Sequence, residues 1–526
     1  MNDRPATTVR RDRDVIDPVT GHPRRWLILP VLCLSLFLVV VDNTIVNVAL
    51  PTLSRELSAS TSQLQWIVDA YSLVFASLLL VFGNLGDRFG RKGMLQLGLV
   101  LFAGTSVVAA FASTAGGLIA ARAAMGIGAA MVFPATLAVL TNVFVDPTER
   151  AKAIGVWSAV SGLAVALGPL TGGWLLEHFW WGAIFLVNLP VVAVTLVAGR
   201  QLLPRTRDPD AGRLDPVGLV LSVAAIVLLV FTVIEAPHFG WTSARTLGGF
   251  VVTVVLLAAF VIWELRRDHP MLDVRVFRNA RFSAASTSVA VAFFGLFGFI
   301  FLITQYFQFV LGYSTLSAGI HTLPFAIAAG VMAPFAARLA LRFGTKVVVA
   351  GGLLSMSAGF WVASTFTATT AYWGPVIVGI VLIAAGLTAT TAPATESILG
   401  SLPKEKAGVG SAMNDTTREL GGTLGVAVVG SVFSSVYGPR LVELLRGLPI
   451  PPDALDAARG SVQAAAVVAE RAPEGARPVI LDAAVSSFVD GLQTGSRVLA
   501  IATLLGAVVA AVFLPSRAGT PPTDPA

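Results

Sequence analysis

The sequence predicts an all-α integral membrane protein with fourteen spanning helices, arranged as two six-helix bundles with two helices inserted between them. Three observations carry this reading. Of 526 residues, 55% are hydrophobic and only 13% charged, with a mean hydropathy of +0.79; a soluble chain of this length cannot cover its surface with so few charges. Apolar segments recur fourteen times along the chain, each near the roughly 20 residues that a hydrocarbon core demands. Basic residues alternate with them: the tails and loops assigned to one side hold 26 Lys and Arg, those on the other side 7, the bias that marks cytoplasmic loops.

The elements follow in order. Residues 1–25 are polar, rich in Arg and Asp, and lead into a full-length span, so they read as a cytoplasmic tail and not as a cleavable signal. Spans fall near 26–50, 64–83, 94–113, 117–141, 153–176 and 182–203, giving an N-terminal bundle over 26–205. Two more, 216–235 and 247–265, make an insertion over 214–266. The last six, near 282–306, 316–336, 347–366, 374–399, 408–436 and 495–514, make a C-terminal bundle over 282–514. Residues 515–526 then form a second cytoplasmic tail. The long segment 437–494, rich in Ala, Pro and acids, is expected outside, carrying short amphipathic helices.

An internal repeat supports the two bundles. Arg88, Phe89, Gly90 and Lys92 of "GNLGDRFGRK" recur 254 positions later as Arg342, Phe343, Gly344 and Lys346 of "ARLALRFGTK". The stretch from Pro134 is echoed from Pro393, as "PATLAVL" and "PATESIL". Parallel repeats with a site at their interface are a transporter architecture.

Polar residues inside the spans are the candidates for chemistry, because a charge in hydrocarbon costs at least about 2.5 kcal/mol unless it faces protein or water. Asp42 interrupts the first span after sixteen residues no more polar than Ser35. Asn43 and Asn47 extend it as a polar stripe able to hydrate the acid or bind substrate. Arg122 lies only five residues beyond Gly117 in the fourth span, so it either snorkels to headgroups or turns into the bundle. Asp69 in "QWIVDAYSL" has Trp66 and Tyr71 beside it; an acid with aromatics suits a lipophilic cation, although aromatics at that depth also form interfacial belts. Span 13 carries Asp415 and Glu419 one turn apart with Arg418 between them. That cluster is either salt-bridged or leaves one acid free to titrate. Span 10 offers no acid, only His321.

Four stretches then resemble one family, the fourteen-helix drug:proton antiporters of the major facilitator superfamily. "VVDNTIVNVALP" is similar to the helix-1 motif of these exporters, and "GNLGDRFGRKGML" to the superfamily's loop between helices 2 and 3. "LIAARAAMGIGAAMVFP" resembles its helix-4 arginine motif, and "GLAVALGPLTGG" the helix-5 motif of exporters. The resemblance implies the major facilitator fold and alternating access. It makes Asp42, Arg122, Asp415 and Glu419 the proton-coupling groups, and Asp42, Asn43, Asn47, Trp66, Asp69 and Tyr71 the substrate contacts. It makes Gly83, Asp87, Arg88, Gly90 and Arg91 a cytoplasmic latch, and Gly162, Gly168, Pro169, Gly172 and Gly173 a flexible seam between the halves. A buried cation that favours the ionised acid, set against burial that favours the neutral one, is what a proton carrier needs.

The implied function is proton-coupled efflux of small hydrophobic, cationic drugs or antibiotics by a monomer in the cytoplasmic membrane. The alternative is a dedicated exporter of one native metabolite: an antibiotic, siderophore or lipid. Other classes find no support. The five histidines are scattered, there is no HExxH, and no P-loop lysine motif occurs, so neither an enzyme, a metal or other cofactor nor internal ATP drive is expected. The one cysteine, Cys33, sits in the first span and leaves no disulfide. Positive-inside loops account for the net charge of +6, so no nucleic-acid partner is implied, only lipid headgroups.

Overall fold

The computed structural model describes residues 17, 21–207, 215–267, 270, 272–401 and 407–515. Almost all of both tails lies outside them. The first six spans are α1 (Arg25–Glu56), α2 (Thr61–Phe89), α3 (Arg91–Ala110), α4 (Ala115–Val143), α5 (Pro147–His178) and a sixth made of α6 (Ala183–Leu186) and α7 (Asn188–Leu202), which run on as one span. The inserted pair is α8 (Pro216–Phe239) and α9 (Ala244–Leu265). The last six are α10 (Ala280–Gln305), a broken pair α11 (Thr315–Ile320) and α12 (Leu323–Phe343), then α13 (Thr345–Ala363), α14 (Ile377–Leu399), α15 (Ala407–Leu444) and α18 (Arg477–Phe513). Two short helices, α16 (Pro452–Gly460) and α17 (Val462–Arg471), lie between α15 and α18. Among the described residues, thirteen helices are long and apolar enough to cross a membrane, and α2, bent by 51° between Leu79 and Val81, makes the fourteenth.

The packing repeats with the sequence. α4 packs on α2 and α3, as α14 packs on α12 and α13. α1 packs on α5 and α7, as α10 packs on α15 and α18. The repeated loop motif folds the same way twice: Gly90 joins α2 to α3 at φ +116°, and Gly344 joins α12 to α13 at φ +87°. A side chain is strained in that region, so both halves place glycine there. Inserted helix α8 lies across α2 and α15, one helix from each half. There Leu73, Val230, Val233, Ile234 and Ala427 form a small core apart from the main one.

The segment 437–494 is shorter as a loop than the sequence suggests. α15 continues to Leu444 and α18 already starts at Arg477. Ile480, Ala484, Phe488 and Leu492 recur every fourth residue and are buried, so the apolar face of α18 extends below its span. Asp482 and Asp490 on the same turns lower the local hydropathy and hide the helix from a window of composition. α16 and α17 cap this end of the molecule. Thr61 donates to the Gly460 carbonyl at 2.8 Å, and the Ser54 and Ser461 hydroxyls lie 3.0 Å apart.

The halves are joined at this capped end. The Thr304 hydroxyl donates to the Asn47 carbonyl at 3.0 Å and the Gln308 amide to the Val48 carbonyl at 2.9 Å. Thr315 donates to the Gly173 carbonyl at 3.1 Å, and Gln65 to the Ala427 carbonyl at 2.9 Å. At the opposite, basic end the polar contacts of the loop motif stay within the first half. Arg91 pairs with Asp87 at 2.7 Å and Lys92 donates to the Leu203 carbonyl at 2.6 Å. Arg88 lies over the ring of its neighbour Phe89 at 5.6 Å. Among the described residues, the hydrogen bonds that join the two halves therefore all lie toward the capped end.

The glycine-rich stretch of α5 divides its work. A Cβ on Gly168 or Gly172 would strike Thr44 or Ile45 of α1, in the same half. On Gly173 it would meet Leu316 of the other half at 2.8 Å, and the Pro169 carbonyl packs against Gly319. Gly162 has nothing within 4 Å. Gly173→Val is expected to disfavour the closed capped end by about 1–3 kcal/mol and to slow transport in vesicles. Gly162→Val should leave transport near wild type, and equal activity of the two variants would contradict this packing account.

Candidate functional site

The site is built where α1, α4 and α7 converge. α1 runs on through Pro51 to Glu56, so Asp42 stands near its middle and not toward one end. Ten of the eleven residues from Val41 through Pro51 are apolar, Asn or Thr side chains buried by neighbouring helices together with Asp42 itself, which keeps the acid off lipid. Asp42 is 0% exposed, and so is Arg122. The arginine does not snorkel; it turns into the bundle. Its Nη1 donates to Asp42 Oδ2 at 2.5 Å and its Nε to the Ile67 carbonyl at 3.1 Å. The guanidinium lies 4.2 Å above the ring of Tyr71, whose hydroxyl donates to the Val39 carbonyl at 3.1 Å. Arg122 Nη2 makes no hydrogen bond.

Sequence reasoning missed the third member. Asn188 lies at the start of α7, next to Val187, and it is 2% exposed. Its amide donates to Asp42 Oδ1 at 2.9 Å and to the Ser106 hydroxyl of α3 at 3.3 Å. The only sequence signal was a lone asparagine in the apolar run "AIFLVNLP". The carboxylate is thus held on both oxygens by groups from two other helices.

The other candidates separate into a stripe and an outlying set. Asn43 accepts from Ser72 at 3.4 Å, and the Asn47 amide donates to the Asn43 carbonyl at 3.3 Å, so both are fixed within the first half. Asn47 Oδ1 is buried without a partner. Asp69 is 0% exposed and neither carboxylate oxygen has a hydrogen-bond partner. It stands one turn from Gln65 and one turn from Leu73, which both face α15, so this stripe of α2 lies on the seam between halves. On α15, the buried Thr423 hydroxyl is also without a partner, one turn from Ala427. Trp66 points elsewhere: its ring lies 6.3 Å from Phe231 of α8, and it packs with the small core there.

On α15, Arg418 sits 3.8 Å from Asp415 and 4.7 Å over the ring of Phe293 of α10. Asn414 lies 3.5 Å from the same carboxylate. The long ion pair leaves Arg418 Nε without a partner, and no hydrogen bond is made to Glu419 among the described residues. Asp415, Arg418 and Glu419 are half-buried, in contrast with the sealed Asp42 pair. No group of three metal-ligating side chains occurs among the described residues.

A buried ion pair broken on one side leaves an uncompensated charge, which costs about 3–5 kcal/mol. Arg122→Leu is therefore expected to lower the unfolding temperature, more strongly at high pH, where Asp42 cannot escape by protonation. The double variant Asp42→Asn with Arg122→Leu should recover most of the loss. A double variant no more stable than the single one would contradict the pairing.

Residues 32–426 match the Major Facilitator Superfamily. The multidrug efflux pump LfrA of Mycolicibacterium smegmatis is 37% identical over 489 residues, 93% of this chain and 96% of that protein. The methyl viologen resistance protein SmvA of Salmonella typhimurium is also 37% identical, over 89% of this chain and 93% of its own. The tetracenomycin C resistance and export protein of Streptomyces glaucescens is 32% identical, over 94% and 92%. In fold, the chain is similar to a bacterial homolog of the human lysosomal transporter Spinster in an inward-facing, unoccupied conformation. That likeness has a TM-score of 0.65 at 19% identity, over 95% of this chain and 99% of that one. The sealed charge pair, the repeated six-helix packing and these relatives lead to one assignment: the chain belongs to the drug:proton antiporter family of the major facilitator superfamily, and is a multi-pass membrane transporter with the fold of that superfamily.

Proposed function

We propose that the chain exports small hydrophobic cations in exchange for protons, as a monomer, with both termini and the basic end in the cytoplasm. The observation that carries this reading is the Asp42–Arg122 pair, sealed from solvent and held from three helices. The relatives named for multidrug efflux and for methyl viologen resistance support the substrate class. The 26-to-7 bias of basic residues supports the orientation.

The physical logic is competition for negative charge. In a low-dielectric site a carboxylate satisfied by a proton has little left to offer a cation, and one satisfied by a cation resists the proton. Asp69, with no partner for either oxygen, and the loosely paired acids of α15 are where an incoming cation finds uncompensated charge. Tyr71 supports the guanidinium, and Asn43 and Asn47 line the same helix as Asp42. Protonation of Asp42 removes the partner of Arg122. The guanidinium then has reason to seek other acceptors, and this couples the proton to the packing of α1 on α4.

Alternating access follows from where the halves touch. Export requires that the capped-end contacts of Gly173, Gln65, Asn47 and Val48 part while the basic end closes. Asp87, Arg88 and Arg91, beside the turn at Gly90 and just beyond Gly83 of α2, are the charges available to bridge the halves in that second state. The sealed capped end seen here is the substrate-loading state.

A second reading, export of one native metabolite, draws on the relative named for tetracenomycin C resistance and export. The two readings separate in everted vesicles. Proton-driven transport of ethidium that collapses with a protonophore supports multidrug exchange. Absence of ethidium transport, with transport of a single neutral antibiotic, supports the dedicated exporter. Under the first reading, Asp42→Asn should reduce pH-gradient-driven ethidium transport at least about tenfold, one unit of lost coupling energy near 1.4 kcal/mol. Asp69→Asn should weaken ethidium more than a neutral substrate. Full proton-driven transport by Asp42→Asn would end the assignment.

A further inference from the structure

Asn188 serves Asp42 in a way that Arg122 cannot. An arginine only donates hydrogen bonds and stays charged, so it suits the ionised carboxylate and leaves a protonated one poorly matched. A carboxamide is different. Turned about its terminal bond, it presents a C=O acceptor where it had an N–H donor, in nearly the same volume. The hydroxyl behind it, Ser106 at 3.3 Å, is itself both donor and acceptor. After that turn Oδ1 would be placed to accept from both the Asp42 carboxyl and the Ser106 hydroxyl, in a site where Ser106 and Asp42 are 0% exposed and an unpaired polar atom is penalised.

Chain geometry holds the amide in place. The sixth span runs from Ala183 to Leu202 as one helix, with Val187 itself at helical angles (φ −58°, ψ −21°), so Asn188 is carried on a continuous helix and its amide reaches Asp42 of α1. The titratable groups facing Asp42 are Arg122 of α4 and Tyr71 of α2, the latter under the guanidinium. Asp69 of α2 shares a helix stripe with Gln65 and Leu73 and makes no hydrogen bond. α3, α5, α7 and α10 bear their charges only near their ends, as with Lys92, Glu149, Arg200 and Arg281.

We infer that Asn188, backed by Ser106, is the positioning residue that lets Asp42 gain and lose its proton in place. Its amide donates to the carboxylate when Asp42 is ionised and accepts from the carboxyl O–H when Asp42 is protonated. The inference rests on the proton-coupling reading of Asp42.

The test is an infrared titration of the purified full chain in lipid, without any ligand. The carboxylic C=O band that Asp42→Asn removes is followed against pH. A charge-assisted bond lost from the ionised form should move the midpoint up by about one to two pH units in Asn188→Leu. Ser106→Ala, a milder change that keeps the amide, should move it in the same direction by less. Unchanged midpoints in both variants, with the Asp42 band present, would overturn the role of Asn188 while leaving Asp42 as the proton site. If Asp42→Asn removes no pH-dependent band, the proton-coupling reading fails and this inference with it.

Discussion

A carboxylate on α1 and a guanidinium on α4 meet with neither exposed, in a protein whose outer surface is hydrocarbon. The cost of placing either alone there is several kcal/mol, so the two must be brought together, and much of the first half is arranged to do it. Gly168 and Gly172 admit α1 close against α5 at Thr44 and Ile45, just beyond Asp42. α7 supplies the amide on the second oxygen through Asn188. Tyr71 fills the space under the guanidinium and ties its own hydroxyl back to α1 at Val39. Each of these residues would be unremarkable in its own helix; their arrangement has a physical reason only through the pair.

The seam between halves is built on a different principle. It relies on backbone carbonyls and small residues: Gln65 on the Ala427 carbonyl, Thr315 on the Gly173 carbonyl, Thr304 on the Asn47 carbonyl. Neutral bonds of this kind contribute about 0.5–1.5 kcal/mol each, small enough to part and reform. The interior of the first half is held by a sealed charge pair, whereas the hydrogen bonds across the moving interface are neutral and replaceable. Helix α8 reinforces the division. Its Val233 carbonyl accepts from Ser431 of α15 at 2.7 Å, and Trp241, in the turn that follows it, donates to Ser435 at 3.0 Å. Toward α2 it offers only apolar packing.

The architecture was legible in the sequence because each span must satisfy its own backbone and so announces itself by length and hydropathy. The repeat was legible for a similar reason: Gly90 and Gly344 occupy a conformation that excludes most side chains, which keeps the surrounding letters alike. What composition could not show was register across helices. Asp42 and Arg122 stood out singly, but nothing in a linear pattern sets residues 80 apart against each other. Asn188 was missed because one asparagine in an apolar run carries no period. Trp66 shares a turn with Asp69, yet it belongs to the α8 contact, which depends on where the inserted pair docks. The start of α18 was hidden because Asp482 and Asp490 lower its hydropathy without interrupting its buried face.

In the proposed exchange, a cation held at Asp69 or the α15 acids and a proton held at Asp42 exclude each other. Its most direct measurement is proton release from the purified protein in weakly buffered solution when ethidium is added, read with a pH-sensitive dye. The account predicts release by the wild-type chain that rises and then falls with pH, and that shrinks when Asp42 is neutralised. Binding of ethidium with no proton released at any pH, or with release unaltered by the loss of Asp42, would contradict it.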